Sequence, residues 1–315
     1  MKVAKTNSSA ILPMQCCKQG KLELHNCDNV DLLITIQDES VDIILTDPPY
    51  LYLKGQKLER PFDEQHFFSE SKRVLTKDGF IVLFGRGESF YRWNTILADM
   101  GFKFKEEIVW NKSMGTSPLS RLCRVHETIS IHCKGKASIN KIKVPYLESK
   151  GYDLDKIHVD IKRITSSLKN ATSIQYLEDF IAGKRSDMEL NTRFTKHKVT
   201  SDVRKSGARE VNTLASIQNG LTEKSIININ RDHFNTIHPT QKPVRLLERI
   251  LALVLPKKDR EDITVLDPFG GSFSTMEACI NIGVNGVSCE IDKDYFEDGL
   301  SRIKNLPLFQ KTLFK

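Results

Sequence analysis

The run Val41–Thr46 reads Val-Asp-Ile-Ile-Leu-Thr, and two consecutive prolines, Pro48 and Pro49, follow almost at once. A short, nearly continuous apolar run of this kind is a strand covered on both faces. Proline fixes its own φ and has no backbone donor, so the strand cannot continue through the pair. The chain must therefore build a covered sheet that delivers Asp47, Pro48, Pro49 and Tyr50 to a carboxyl end, the edge where open α/β sheets bind ligands. The prolyl carbonyls remain as acceptors beside a carboxylate, and Tyr50 adds a flat face with a polar tip. Such a cup suits a planar ring with an exocyclic amine. Asp47 and the Pro48 carbonyl can accept hydrogen bonds from the two amine hydrogens of such a ring while Tyr50 stacks on it. A strand with a plain Pro-Pro turn explains the same four residues, so the weight falls on the rest of the chain.

Residues 1–20 are poorly patterned, a short strand or an extended arm. Leu22–Leu24 reads as a strand ending at Asn26-Cys27-Asp28. Asp28 precedes the helical spacing Val30, Leu33, Ile34 and suits a helix cap as well as a ligand role. Residues 51–62 read as a loop placed to cover whatever sits on Tyr50. A helix over 63–76 ends near Lys77-Asp78-Gly79, and Phe80–Phe84 is a second buried strand, closed by Gly85-Arg86-Gly87. A helix over 88–100 and two strands, Phe102–Trp110 and His126–Cys133, follow. Strands alternating with helices in this way predict a mostly parallel, covered sheet.

The character changes at Gly135. Residues 136–237 hold 18 Lys and Arg against 12 Asp and Glu, most of the chain's net charge of +7. Tyr146, Tyr152, Tyr176 and Phe194 are interleaved with paired charges at Lys162-Arg163, Lys184-Arg185 and Arg204-Lys205. A helix fits 173–183. The composition is that of a solvated, loop-rich insertion or of a nucleic-acid surface. No apolar run reaches the length of a membrane span and the N-terminus lacks the apolar core of a signal peptide, so a cytoplasmic protein without a membrane partner is expected. The seven cysteines are scattered without a C-x-x-C pair, which predicts reduced thiols and no metal site.

The α/β pattern resumes at His238-Pro239-Thr240-Gln241-Lys242-Pro243, which opens an amphipathic helix, Val244–Leu255. Free N–H groups there, with Lys242, make a seat for a carboxylate. The strand Ile263–Leu266 then runs into Asp267-Pro268-Phe269-Gly270-Gly271-Ser272 and a helix over 274–282, the generic cradle of nucleotide-like cofactors. The next strand, Val287–Cys289, ends in Glu290-Ile291-Asp292. An acid there, 19 residues beyond Gly271, is placed to bind two ribose hydroxyls. Helix capping is the plain alternative for Glu290, and Asp292 can fill that role instead. A nucleotide-linked dehydrogenase would explain the Gly turn alone, but not the Asp-Pro-Pro-Tyr run.

Taken together, these stretches resemble the S-adenosylmethionine-dependent DNA amino-methyltransferases, in particular the N6-adenine branch with the β motif order. The elements that carry the resemblance are Asp28, Asp47-Pro48-Pro49-Tyr50, Trp110-Asn111-Lys112, Arg124-Val125-His126-Glu127, the His238–Pro243 run, Asp267-Pro268-Phe269 with its Gly turn, and Glu290 with Asp292 and Tyr295. They cover residues 20–134 and 238–305. The resemblance implies a Rossmann-like, doubly wound, mostly parallel sheet in circularly permuted order. Residues 1–135 would form its catalytic half, 136–237 a target-recognition insert that binds DNA, and 238–315 its cofactor half. One departure stands out. Phe273 replaces the second glycine of the family's turn, which implies a reshaped loop and weaker cofactor binding.

By the same resemblance the cofactor is S-adenosyl-L-methionine and the partner is double-stranded DNA; a homodimer and a cognate restriction endonuclease are compatible with it. Asp47, Pro48, Pro49 and Tyr50 would accept the amine of a flipped-out adenine. Asp267, Phe269, Gly271 and Ser272 would lie against the cofactor. Glu290, with Asp292, would hold its ribose hydroxyls, Cys27 and Asp28 would sit near its adenine, and His238, Thr240 and Lys242 would face its methionine tail. N4-cytosine methylation uses the same cup, but those enzymes tend to carry Ser at the position of Asp47. An RNA or free-nucleotide substrate is a further option, and a DNA-binding relative that has lost catalysis is the alternative outside the enzyme class.

Overall fold

A computed structural model of the 315-residue chain describes residues 8–12, 21–50, 60–115, 121–184, 208–232 and 236–306. The strands are β1 (Ser8–Leu12), β2 (Leu22–Asn26), β3 (Val41–Thr46), β4 (Leu75–Gly85), β5 (Lys103–Asn111), β6 (His126–Cys133), β7 (Lys143–Val144), β8 (Leu221–Thr222), β9 (Ile226–Asn228), β10 (Thr264–Asp267) and β11 (Asn285–Cys289). The helices are α1 (Asn29–Leu33), α2 (Glu64–Val74), α3 (Gly87–Asp99), α4 (Tyr146–Lys150), α5 (Leu154–Ser166), α6 (Ala171–Ile181), α7 (Ala208–Asn219), α8 (Val244–Val254), α9 (Ser274–Ile282) and α10 (Lys293–Lys304). The chain forms two compact units, Met1–Asn140 with Ser225–Lys315, and Lys141–Lys224. Of the sequence features above, Cys16, Cys17, residues 51–59 of the covering loop, Arg185, Phe194 and Arg204-Lys205 lie outside the described residues.

In the first unit, nine strands form one sheet in the order β1-β2-β11-β10-β3-β4-β6-β5-β9 among the described residues. The run β2-β11-β10-β3-β4 is parallel throughout. Strand β3 lies inside it, and all six of its residues are buried, as the apolar run requires. Burial of Ile43, Ile44 and Leu45 contributes about 2 kcal/mol each. Helices α2 and α3 cover this region: Phe67, Phe68, Trp93 and Leu97 pack against Ile44, Ile81 and Leu83 in one core cluster.

Two local boundaries differ from the pattern reading. Helix α2 stops at Val74 rather than near Gly79, because Leu75 leaves the helix to pair with Val41 of β3. Strand β6 enters antiparallel between β4 and β5, so the parallel rule fails on that side of the sheet. The intervening hairpin needs no crossover helix, which permits the reversal.

The described residues of the second unit are mainly helical, where a loop-rich segment was one expectation. It contains α4 to α7 and the short pair β7–β8. Its polar centre is Asp160, 4% exposed, which accepts hydrogen bonds from Tyr146 Oη (2.9 Å) and Arg163 (2.8 Å) and pairs with Lys150 Nζ at 2.5 Å. Gly220, in the left-handed region at φ 76°, has no room for a Cβ, which would lie 2.3 Å from the Val144 carbonyl. No described helix is long and apolar enough to cross a membrane.

His132 on β6 is buried, and loss of water lowers its pKa from 6.5 to about 4. The unfolded chain therefore binds more protons than the folded one between those values, and stability is lost as pH falls through that window. Thermal melts at pH 7 and pH 4.5 should show a smaller drop in Tm on acidification for His132→Phe than for the wild type.

Candidate active site

The parallel strands end together, and each carries a polar side chain to the same edge. Strand β2 leads to Cys27 and Asp28, β11 to Glu290, β10 ends at Asp267, β3 leads to Asp47 and β4 to Arg86. Between them lies a cavity of about 370 Å³, in the size range of small-ligand sites. It is lined by every residue given a catalytic or cofactor-binding role from the sequence: Cys27, Asp28, Asp47 to Tyr50, His238, Thr240, Lys242, Asp267, Phe269, Gly271, Ser272, Glu290 and Asp292.

At one end Asp47 follows β3, its side chain 21% exposed. The Tyr50 hydroxyl donates to Asp47 Oδ1, and the Lys242 ammonium binds Oδ2. Withdrawal from water raises the pKa of Asp47, while Lys242 pulls it back. Tyr50 is held from behind: Ser89 Oγ donates to its carbonyl at 2.7 Å, and its ring lies 6.1 Å from that of Trp93.

At the other end the turn after β10 is built on internal hydrogen bonds. Asp267 is buried; its Oδ1 accepts from Thr46 Oγ1 (3.0 Å) and Phe269 N (3.2 Å), and its Oδ2 from Thr275 Oγ1 (2.6 Å). Burial outweighs these bonds and moves its pKa up to about 7. Glu290 Oε2 accepts from Gly271 N (2.9 Å) and Oε1 from Asp292 N (2.8 Å), leaving further lone pairs toward the cavity. Asp292 caps α10, accepting from Asp294 N (3.1 Å) and Tyr295 N (3.3 Å), and pairs with Arg60 at 3.2 Å. Asp28 caps α1 through Val30 N at 3.0 Å while also lining the cavity. Cys27 shares a hydrogen bond with Cys289, which holds the Cys27 thiol below its ordinary pKa. His238 meets the Tyr295 ring edge-on at 4.5 Å, and burial lowers its pKa to about 4, so it is neutral near pH 7.

Phe273 adopts the left-handed conformation, φ 58° and ψ 31°, that a glycine would take easily. Its side chain is fully buried, 5.8 Å from the Phe296 ring, and it does not line the cavity. Two glycines make room: a Cβ on Gly270 would lie 2.5 Å from the Phe273 ring and one on Gly299 2.7 Å. Arg302 braces the same turn, donating to the Ser272 carbonyl at 2.9 Å while paired with Glu277.

Four residues of the site had no role assigned from the sequence, although Lys112 and Glu127 stood in stretches that carry the resemblance. Thr46 and Thr275 hold Asp267, and Lys112 and Glu127 extend the charges around Lys242. The signal for the last two was available: Lys112 follows β5 and Glu127 is the second residue of β6, and an antiparallel hairpin of those strands brings a Lys and a Glu together. Lys242 itself lines the cavity, but its ammonium lies on Asp47 and Glu127.

A model of the DNA methylase family matches residues 41–301. The type II methyltransferase M.HinfI of Haemophilus influenzae is 24% identical over 306 residues, covering 89% of this chain and 67% of that relative. M.BglII of Bacillus subtilis is 25% identical over 307 residues, covering 91% and 70%. Among solved structures, M1.HpyAVI superposes with a TM-score of 0.52 at 19% identity, over 90% of this chain and 99% of that one. PvuII DNA methyltransferase, described as cytosine-N4-specific, gives 0.54 at 15% identity over 93% and 90%.

The seat of Phe273 sets a test of the turn. Gly299→Ala should cost about 1–3 kcal/mol in urea denaturation through overpacking. The same substitution in a Phe273→Leu background should cost clearly less, because the ring it strikes is gone.

Proposed function

The chain belongs to the DNA methylase family, and from that premise we propose that it transfers a methyl group from S-adenosyl-L-methionine to the N6 amine of adenine in double-stranded DNA. The observation that carries this reading is one cavity with two chemically distinct ends: the Asp47–Tyr50 cup, and the Glu290 carboxylate beside the Gly turn. Asp47, rather than a serine, favours adenine over cytosine. The type II names of M.HinfI and M.BglII suggest a place in a restriction-modification system with a cognate endonuclease.

The residues present fit the cofactor. Gly271 lies at φ 52° in a strand–turn–helix cradle, and Glu290 is fixed by two backbone N–H groups where it can accept from two hydroxyls. Phe269 offers an aromatic face there, backed by Phe62 and Phe67 at 5.1 and 5.3 Å between ring centres. Cys27 and Asp28 would flank the adenine, while His238 and Thr240 would serve the methionine tail. When bound, the cofactor supplies a methyl group already activated as a sulfonium.

The protein's part is then positioning and electrostatics. An exocyclic adenine amine is a weak nucleophile because its lone pair is delocalised into the ring. Asp47 and the Pro48 carbonyl accept its two hydrogens, draw the nitrogen toward tetrahedral geometry and aim the lone pair at the methyl. The methylated nitrogen loses one proton to Asp47 or to a water. A base inside a duplex cannot reach the cup, so it must flip out, and Tyr50 is the surface on which it stacks. Residues 136–237, with their basic excess, are the proposed reader of the surrounding sequence.

The reading is tested by transferring labelled methyl to mixed-sequence duplex DNA and analysing the nucleosides. Label should appear in N6-methyladenine, and Asp47→Ala should lower the rate by about a hundredfold or more. Label in N4-methylcytosine would overturn the choice of base, and no label would overturn the activity. Separately, Glu290→Gln should weaken cofactor binding by about tenfold in calorimetry, the scale of a hydrogen bond to a charged group.

A further inference from the structure

The cup at the end of β3 is surrounded by more charge than the transfer step uses. Lys242 Nζ binds Asp47 Oδ2, lies 3.3 Å from Glu127 Oε2, and sits 5.0 Å from the centre of the Phe84 ring. Glu127 Oε1 in turn accepts from Lys112 Nζ at 2.8 Å. Lys112 and Lys242 are only 4% and 8% exposed, so these are interior charges. In space the groups alternate in sign, Lys112, Glu127, Lys242, Asp47, and the set closes at net zero with the Tyr50 hydroxyl at its far end.

That arrangement answers a specific difficulty. To accept hydrogen bonds from an amine, Asp47 must be ionised. Removal from water opposes this, as does the nearby Glu127 carboxylate. An ammonium in direct contact is the group able to offset them. Lys242 is poorly suited to a third anion such as the cofactor's carboxylate, since its charge is already met by two. Nor is its position left to a flexible side chain. Burial pushes Glu127 up, but Lys242 and Lys112 outweigh burial and bring it to about 2, so it stays an anion and a fixed counter-charge for Lys242. A lone buried pair is readily lost, whereas charges that alternate in sign along a network hold one another in place.

We propose that Lys242 is a positioning residue of the methyl-accepting half of the site: it keeps Asp47 ionised and oriented for the amine, and Glu127, anchored by Lys112, holds Lys242 there. This rests on the reading of Asp47 as the acceptor of the amine. Lys242 does not touch the reacting atoms; it acts through Asp47. The groups that face Asp47 are Lys242 from the turn before α8, Glu127 from β6, Tyr50 from its own turn and Asp267 from β10. The first two are the ones whose removal moves Asp47 in opposite directions.

The experiment uses the full chain and two readouts. One is the titration of the Asp47 carboxyl by 13C NMR, assigned by its disappearance in Asp47→Asn. The other is the pH profile of single-turnover methyl transfer at saturating S-adenosyl-L-methionine, with cofactor affinity measured alongside. In Lys242→Met the Asp47 titration and the acid limb of the profile should both move up by about one pH unit or more. Cofactor affinity should stay unchanged. Lys242→Arg, which keeps the charge, should titrate close to the wild type. Lys242→Gln, which keeps a donor but not the charge, should shift the Asp47 titration up as Lys242→Met does, and it decides the matter if Lys242→Met does not fold. An Asp47 titration that stays put in the folded variants lacking the Lys242 charge overturns the proposal. So does an activity loss equal at all pH values that tracks lost cofactor affinity, which would make Lys242 a ligand of the methionine tail. If the wild type methylates no DNA, the functional reading fails, yet the carboxyl titration still reports whether Lys242 sets the charge of Asp47.

Discussion

The parallel pairing of β3 with β10 is the constraint on which the rest of the molecule depends. It sets Ile43 beside Val265 and Ile44 beside Leu266, joining segments more than 200 residues apart, and the Thr46 hydroxyl bonded to Asp267 closes the end of the pair. Closing so long a loop costs entropy, but the cost grows only slowly with length, and a strand buried on both faces offsets it. The cavity spans this junction. Asp47 comes from one side of it, and Asp267, Gly271 and Glu290 come from the other. Without the pairing, nothing would hold the Asp47 turn and the glycine turn to one cavity.

Three carboxylates at the edge of one sheet meet three fates, and their partners decide which. Asp47 is bound by an ammonium and a phenol, and remains directed at the cavity. Asp267 is bound by two hydroxyls and one N–H, with no cation, and burial brings its pKa to about 7. It therefore works as a strut of the turn as much as a wall of the cavity. Glu290 is held by two backbone N–H groups and keeps acceptor capacity for a ligand. Environments that drive like groups apart in this way are how one fold assigns different roles to the same side chain.

The turn after β10 shows a local rule broken and repaired nearby. A phenylalanine at a left-handed position carries strain that a glycine there would avoid. Here the ring turns inward, toward Phe296, and Gly270 and Gly299 supply the space that it needs. The expected reshaping of the cofactor face is not a matter of the ring, which points away from the cavity.

The sequence by itself determined which segments form the central strands and which residues stand at their ends. Both follow from short-range physics: apolar period, the proline stop after Thr46 and the glycine turn after Asp267. The candidate residues at those strand ends, and those assigned through the resemblance, line one cavity. Tertiary structure decided what those residues bind. Lys242 and Asp47 are 195 residues apart in the chain, and no local pattern pairs them. Lys112 and Glu127 join them only once β5 and β6 form their hairpin beside β4. The helical form of the described residues within 141–224, the reversed β6 and the inward turn of Phe273 were likewise settled by packing. Charge, volume and strand direction at those places depend on neighbours distant in sequence, and only the folded chain brings them together.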